Sequence, residues 1–128
     1  MDADFLSVAK NGSLKGIDIP LGTSRQDVIG KLGEPDEIGT VHTEFLRYGD
    51  TYFYIWGPAP VVGVIDTKIT VPPAKIKEML GQPDFDGMSE AGVAEYVVGY
   101  EVGSYYLYFK YKNPDAQEGI LRFKNPRG

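Results

Sequence analysis

The side chains best suited to recognition chemistry fall in two alternating stretches, Tyr52-Phe53-Tyr54-Ile55-Trp56 and Tyr106-Leu107-Tyr108-Phe109-Lys110. In an extended segment, successive side chains point to opposite faces. Phe53 and Ile55 therefore share one face, with Tyr52, Tyr54 and Trp56 on the other. Leu107 and Phe109 likewise oppose Tyr106, Tyr108 and Lys110. The purely apolar sets suit a platform for helices. The ring-bearing sets are left to water, because only the first twenty residues are spare to cover them. Tyr and Trp bring large contact area at low rotamer cost, plus an O–H or N–H for a partner. Tyr52, Tyr54, Trp56, Tyr106 and Tyr108 are thus the candidate binding residues. The plainer alternative is that cross-strand aromatic pairs only stabilise the sheet. The two roles are compatible.

Signals for catalysis or metal binding are weaker. His42 is the only histidine. A general base needs a nucleophile and an orienting carboxylate; Glu44 lies on the same side of the expected strand, but no serine motif accompanies it. Asp84-Phe85-Asp86-Gly87 holds a fragment of a calcium-loop pattern without the later bidentate Glu. Glu34, Asp36 and Glu37 read as a solvated acidic turn. No carboxylate pair stands out for glycoside hydrolysis. Gly12, Gly16, Gly22, Gly30 and Gly33 precede no Gly-Lys-Ser/Thr phosphate loop. No catalytic residue, metal ligand or cofactor is assigned, and calcium at the acidic turns is left open.

The 128 residues carry 13 Lys+Arg against 18 Asp+Glu, a formal charge of −5, and no cysteine. That length supports one domain, or two small units sharing a core, without covalent staples. Sequence-independent nucleic-acid binding needs a basic face, and an acidic chain is poorly made for it. Without cysteine there are no disulfides, thiolate zinc sites or cysteine nucleophiles. No apolar run approaches the roughly 18 residues of a spanning helix, and Met1-Asp2-Ala3-Asp4 does not open a signal peptide. The chain is either cytosolic or the mature part of an exported protein.

The elements that must position the rings come from an internal similarity. Leu21 to Asp36 aligns with Ile69 to Asp84 at an offset of about 48, matching Val28/Ile76, Leu32/Leu80, Gly33/Gly81, Pro35/Pro83 and Asp36/Asp84. Gly49 to Ile55 then matches Gly103 to Phe109. Each unit opens with a short helix. In the first, Thr23 with Gln26 has capping-box spacing, Val28, Ile29 and Leu32 share a face, and Gly33 then Pro35 end it. In the second, Pro72 and Pro73 suit only a first turn, and Ile76, Met79 and Leu80 form the stripe. Gly30 is expected to let its helix approach the sheet closely, at a propensity cost of about 1 kcal/mol. Alternation then predicts strands near 41–48, 51–57 and 60–67, and near 94–101, 104–112 and 118–124, with tight turns at Gly49-Asp50 and Gly103-Ser104. A further helix over Asp4 to Lys10 buries Phe5 and Leu6, and Asn11-Gly12 ends it. The expected fold is therefore α+β: a tandem repeat of short helix plus three-stranded antiparallel meander, with the helices on one face of the sheet. Residues 4–67 hold the N-terminal helix and first unit, residues 68–124 the second, within one compact domain over 1–128.

The short helix, Leu-Gly-x-Pro-Asp and Tyr-rich meander resemble the YjgB-like domain of unknown function from exported Gram-positive proteins. Phe5-Leu6-Ser7-Val8-Ala9-Lys10-Asn11-Gly12 followed by Gly16-Ile17 is similar to that domain's start. More distantly, the tandem unit is similar to the β-lactamase inhibitor protein and to SmpA/OmlA (BamE-like) outer-membrane lipoproteins, though the inhibitor family's cysteines are absent here. The resemblance implies a fold, a non-catalytic habit and a place outside the cytoplasm. The expectation is a non-enzymatic module, inhibitor- or scaffold-like, that offers its aromatic sheet face to an unidentified protein partner, as a monomer or weak dimer. A cell-envelope small-molecule or glycan-binding protein is the alternative, since stacked aromatics also suit sugars.

Overall fold

The backbone of Thr23 is already committed before a helix can start there. In the computed structural model, which describes residues 3–89 and 95–125, Val62 N–H donates to Thr23 O at 2.8 Å. Ser24 therefore caps helix α2 (Arg25–Leu32) instead, its hydroxyl accepting from Asp27 N–H at 3.1 Å. The Thr23 hydroxyl donates to Pro20 O at 2.7 Å. Helix α1 spans Ala3–Lys10 and buries Phe5 and Ala9. Helix α3 spans Pro73–Leu80, starts on Pro72 and buries Ile76 and Leu80. Gly33 and Gly81 close α2 and α3 at φ of 83° and 90°, where a side chain would be strained. Gly30 does not make the expected close approach: a Cβ there would meet nothing within 4 Å.

Eight strands follow from the alternation and its pairing: β1 (Glu37–Val41), β2 (Thr43–Tyr48), β3 (Thr51–Trp56), β4 (Val61–Ile69), β5 (Phe85–Ser89), β6 (Glu95–Val102), β7 (Tyr105–Tyr111) and β8 (Gly119–Lys124). They form one antiparallel sheet in the order β1-β2-β3-β4-β8-β7-β6-β5. This overturns the expected tandem repeat of short helix plus three-stranded meander. The molecule is chiefly one continuous eight-stranded sheet with three short helices. The β4–β8 pairing makes the sheet continuous, with Asp66 opposite Arg122 and Ile65 opposite Phe123.

The two edge strands are additions to the six expected: β1 begins within the acidic turn expected at Glu34, Asp36 and Glu37, and β5 within the calcium-loop fragment Asp84-Phe85-Asp86-Gly87. Glu37-Ile38-Gly39-Thr40-Val41 and Phe85-Asp86-Gly87-Met88-Ser89 have glycine at their centres and charge near their starts, which lowers their strand signal. Tertiary hydrogen bonds extend them nonetheless. Asp36 N–H donates to Arg47 O, and its carboxylate accepts from Gly49 N–H at 2.7 Å. Asp84 N–H donates to Gly99 O, and its carboxylate accepts from Glu101 N–H at 2.7 Å. Each aspartate thus pins an edge strand to its neighbour before the first side chain of that strand.

The core lies between the helices and one sheet face. Phe5, Val28 and Ile76 join Leu46, Phe53, Ile65, Leu107, Phe109 and Phe123 in a single buried cluster. Five of the nine tyrosines are on this side, and several hold the helices in place. Tyr48 and Tyr100 donate to the carbonyls of Gly33 and Gly81 at 2.8 and 2.7 Å, and Tyr111 donates to Val71 O at 2.6 Å. Burial pushes the Tyr111 hydroxyl well above its usual range. No helix among the described residues is long and apolar enough to cross a membrane.

Candidate functional site: the ring-bearing sheet face

Strand register brings the five sequence-predicted residues to one face. One row crosses all eight strands as Glu37, Arg47, Tyr52, Asp66, Arg122, Tyr108, Gly99 and Phe85. The next row carries Gly39, Phe45, Tyr54, Val64, Lys124, Tyr106 and Glu101. Trp56 lies on the same face, opposite Val61. Tyr52, Tyr54, Trp56, Tyr106 and Tyr108 are all half-buried, and none joins the helix-packed core cluster. Phe53, Ile55, Leu107 and Phe109 do join it, as their alternation requires.

Three rings of this face, Phe45, Trp56 and Tyr108, lie over strand glycines that make the room. A Cβ on Gly63 would fall 2.0 Å from Trp56 Cε3, and one on Gly39 would fall 2.6 Å from Phe45 Cζ. Tyr108 covers Gly99 in the same way, at 3.1 Å. Each ring shields backbone that a strand glycine would otherwise bare. The register shifts between Tyr54 and Ile55, where Gly63 is the extra residue of β4, so Trp56 can fold across it. Tyr52 and Tyr54 stack with planes 15° apart, and Tyr106 and Tyr108 stack at 27°. Phe45 is buried against both Tyr52 and Tyr54.

Between the two tyrosine pairs lies an ion pair. Arg122 Nε donates to Asp66 Oδ1 at 2.8 Å and Nη2 to Oδ2 at 2.7 Å. The guanidinium carbon lies 6.0 Å from the Tyr54 ring centre. The Asp66 hydrogen bonds raise the Arg122 pKa further above its ordinary value. Burial raises Tyr54 and Tyr108, with the Asp66 charge adding to Tyr54, so both hydroxyls stay protonated at neutral pH.

A family model for a domain of unknown function, DUF4309, matches residues 3–125. This chain belongs to the DUF4309 family. Among solved structures, the DUF4309 domain is similar to a DUF4309 family protein, YjgB, from Bacillus subtilis, at 17% identity and a TM-score of 0.71 over 97% of both chains. A cysteine-rich secretory protein, SAV1118, from Staphylococcus aureus is similar at 10% identity and a TM-score of 0.57, over 84% of this chain and 45% of that one. At such identities the likeness is one of fold. No curated protein matches the chain.

Of the other candidate groups of the DUF4309 domain, His42 lines a shallow hollow beside Tyr54 and Trp56, and the carboxylates serve the fold. His42 is the single residue between β1 and β2, at φ 63°, not a strand residue. Glu44 points to the helix side and pairs with Arg25 at 2.7 Å. His42 and Glu44 therefore form no catalytic couple. Asp84 and Asp86 are not a loop: Asp84 holds Glu101 N–H, and Asp86 pairs with Lys77 at 3.0 Å and accepts from the Tyr96 hydroxyl. Glu37 opens β1 and pairs with Arg47 at 3.0 Å. Sequence reasoning missed Asp66, Arg122 and Phe45. A lone charge inside Val-Val-Gly-Val-Ile-Asp and another inside Leu-Arg-Phe were the available signal, since a charge on a half-buried strand needs a partner.

Proposed function

We propose that this DUF4309 domain is a non-enzymatic protein-binding module that works outside the cytoplasm and meets its partner with the ring-bearing sheet face. The observation that supports this is the gathering of Tyr52, Tyr54, Trp56, Tyr106 and Tyr108 around the Asp66–Arg122 pair, drawn from both halves of one sheet. Tyr, Trp and Arg are the residue types that most often anchor interfaces. Trp56 and Tyr108, laid on Gly63 and Gly99, and the stacked Tyr52/Tyr54 pair lose little rotamer freedom on binding, so more of the contact energy remains as affinity. The secretory description of the Staphylococcus aureus structure agrees with an extracytoplasmic place.

Trp56 and Tyr108 cover glycines, so the test leaves them in place. Tyr52, Tyr54 and Tyr106 are replaced together by Ser, with Leu32→Ser on exposed helix surface as the control. Both proteins are expected to melt cooperatively. The triple variant should lose capture of its partner from cell-envelope extract, and the control should keep it. Equal capture by both would reject the face.

The near-parallel Tyr52/Tyr54 and Tyr106/Tyr108 stacks favour one second reading, a glycan- or small-molecule-binding protein of the cell envelope. A soluble glycan that raises the melting temperature at sub-millimolar concentration, and fails to do so in the triple variant, would establish it.

A further inference from the structure

One end of the ring-bearing face is hollowed out. Gly87, between Phe85 and Ser89 on β5 and opposite Val97 on β6, offers no side chain to fill the space there. The hollow, about 410 Å³, is walled by Phe85 on the edge strand and by Tyr108, Lys110, Arg122 and Lys124 on the inner strands, with Glu95 at its rim. Phe85 is 46% exposed, an unusual state for a phenylalanine. Three cations and one carboxylate thus line one hollow in a chain of charge −5.

The cations are not equivalent. Arg122 is held by Asp66, and Lys110 lies 3.5 Å from Glu95. Lys124 pairs with no carboxylate among the described residues. Its ammonium is therefore the group with an unmet electrostatic demand, set beside Tyr106 in the register. We propose that this hollow seats an extended acidic segment of a protein partner. A carboxylate of that segment meets Lys124, and a neighbouring apolar side chain packs on Phe85 and Val97. This rests on the reading of the face as a protein-binding surface and names the chemistry of its partner. The net charge of the domain opposes an acidic ligand only weakly, since charges beyond about 8 Å are screened at physiological salt. At contact distance the Lys124 ammonium, unpaired among the described residues and half-buried on the ring-bearing face, supplies the local attraction.

The test uses the ¹⁵N-labelled full chain at low salt. It is titrated with the blocked hexapeptide acetyl-Glu-Leu-Glu-Leu-Glu-Leu-amide and with its Gln-for-Glu counterpart. The Glu peptide should shift the amide resonances of Val97, Tyr108 and Lys124. Its affinity should fall at least about fivefold in Lys124→Gln, in the Gln peptide and on raising salt. Gly87→Val, which has room for its Cβ and suits a strand, should weaken binding similarly by narrowing the hollow. Equal binding of the two peptides, no shifts at millimolar peptide, or shifts confined to other parts of the protein would overturn the inference. If the tyrosine triple variant loses partner capture while the Glu peptide leaves the hollow unmoved, only the acidic-segment inference falls. If the peptide binds as described while the triple variant still captures its partner, the wider face assignment falls instead.

Discussion

Arg122 and Asp66 meet as a two-bonded fork across the β4–β8 seam, at 2.8 and 2.7 Å, where the two four-stranded halves of the sheet are stitched together. The Asp66 side chain is only 11% exposed, so its charge is largely desolvated and needs the fork. Asp66→Ala leaves Arg122 half-buried without its counter-ion. It should cost about 2–3 kcal/mol in urea unfolding, somewhat below the range for fully buried pairs. Arg122→Lys should recover only part of the stability, since an ammonium cannot make both bonds in one plane. Asp66→Leu with Arg122→Met should be close to wild type. A loss under about 0.5 kcal/mol in Asp66→Ala would show that the seam does not depend on the pair.

The single tryptophan reports on its own support. Gly63→Ala places a methyl group 2.0 Å from the present position of Trp56 Cε3, so the ring must lift off the sheet. The expected results are a red-shifted tryptophan emission and a loss of about 1–3 kcal/mol, the usual range for forced repacking. An unchanged spectrum would mean that the ring does not rest on Gly63.

Helix α2 carries an unneeded flexibility. Gly30 is exposed, helical and free of neighbours, so Gly30→Ala removes unfolded-state entropy without a clash. The variant should gain about 0.5–1 kcal/mol, read as a rise of a few degrees in melting temperature. A decrease would reveal a contact that requires the glycine.

Edge strand β5 is tied to α3 through Asp86. The Tyr96 hydroxyl, then Lys77, hold the Asp86 carboxyl below its usual range. A depressed folded pKa contributes stability that is present above the ordinary carboxylate value and lost as pH falls through the folded one. The stability difference between wild type and Asp86→Asn should therefore be flat from pH 7 to about pH 4.5, then shrink toward zero below about pH 3.5. It should not exceed about 1 kcal/mol, because the carboxylate is 38% exposed and water screens it. A difference that grows on acidification would contradict this.

The local parts of the fold were legible because their causes are local. Period-2 alternation placed Phe53, Ile55, Leu107 and Phe109 inward and the five rings outward, and Gly33 and Gly81 with their following prolines ended the helices where expected. The cap at Ser24 was not legible, since it depends on Thr23 being held by β4. Strands β1 and β5 were missed for the same kind of reason. Their residues have weak intrinsic strand preference, and Asp36 and Asp84 recruit them through bonds to neighbours distant in the chain.

Sequence by itself determined which side chains share a face, because that follows from the geometry of a single extended strand. Only the tertiary structure decided that the strands make one eight-stranded sheet, that the rings lie flat on Gly39, Gly63 and Gly99, and that Asp66 meets Arg122 between them. The continuous sheet and the ion pair depend on register between β4 and β8, fifty or more residues apart, and each ring–glycine contact depends on the register of its own strand pair. A period of two along one strand carries no information about which other strand will lie beside it.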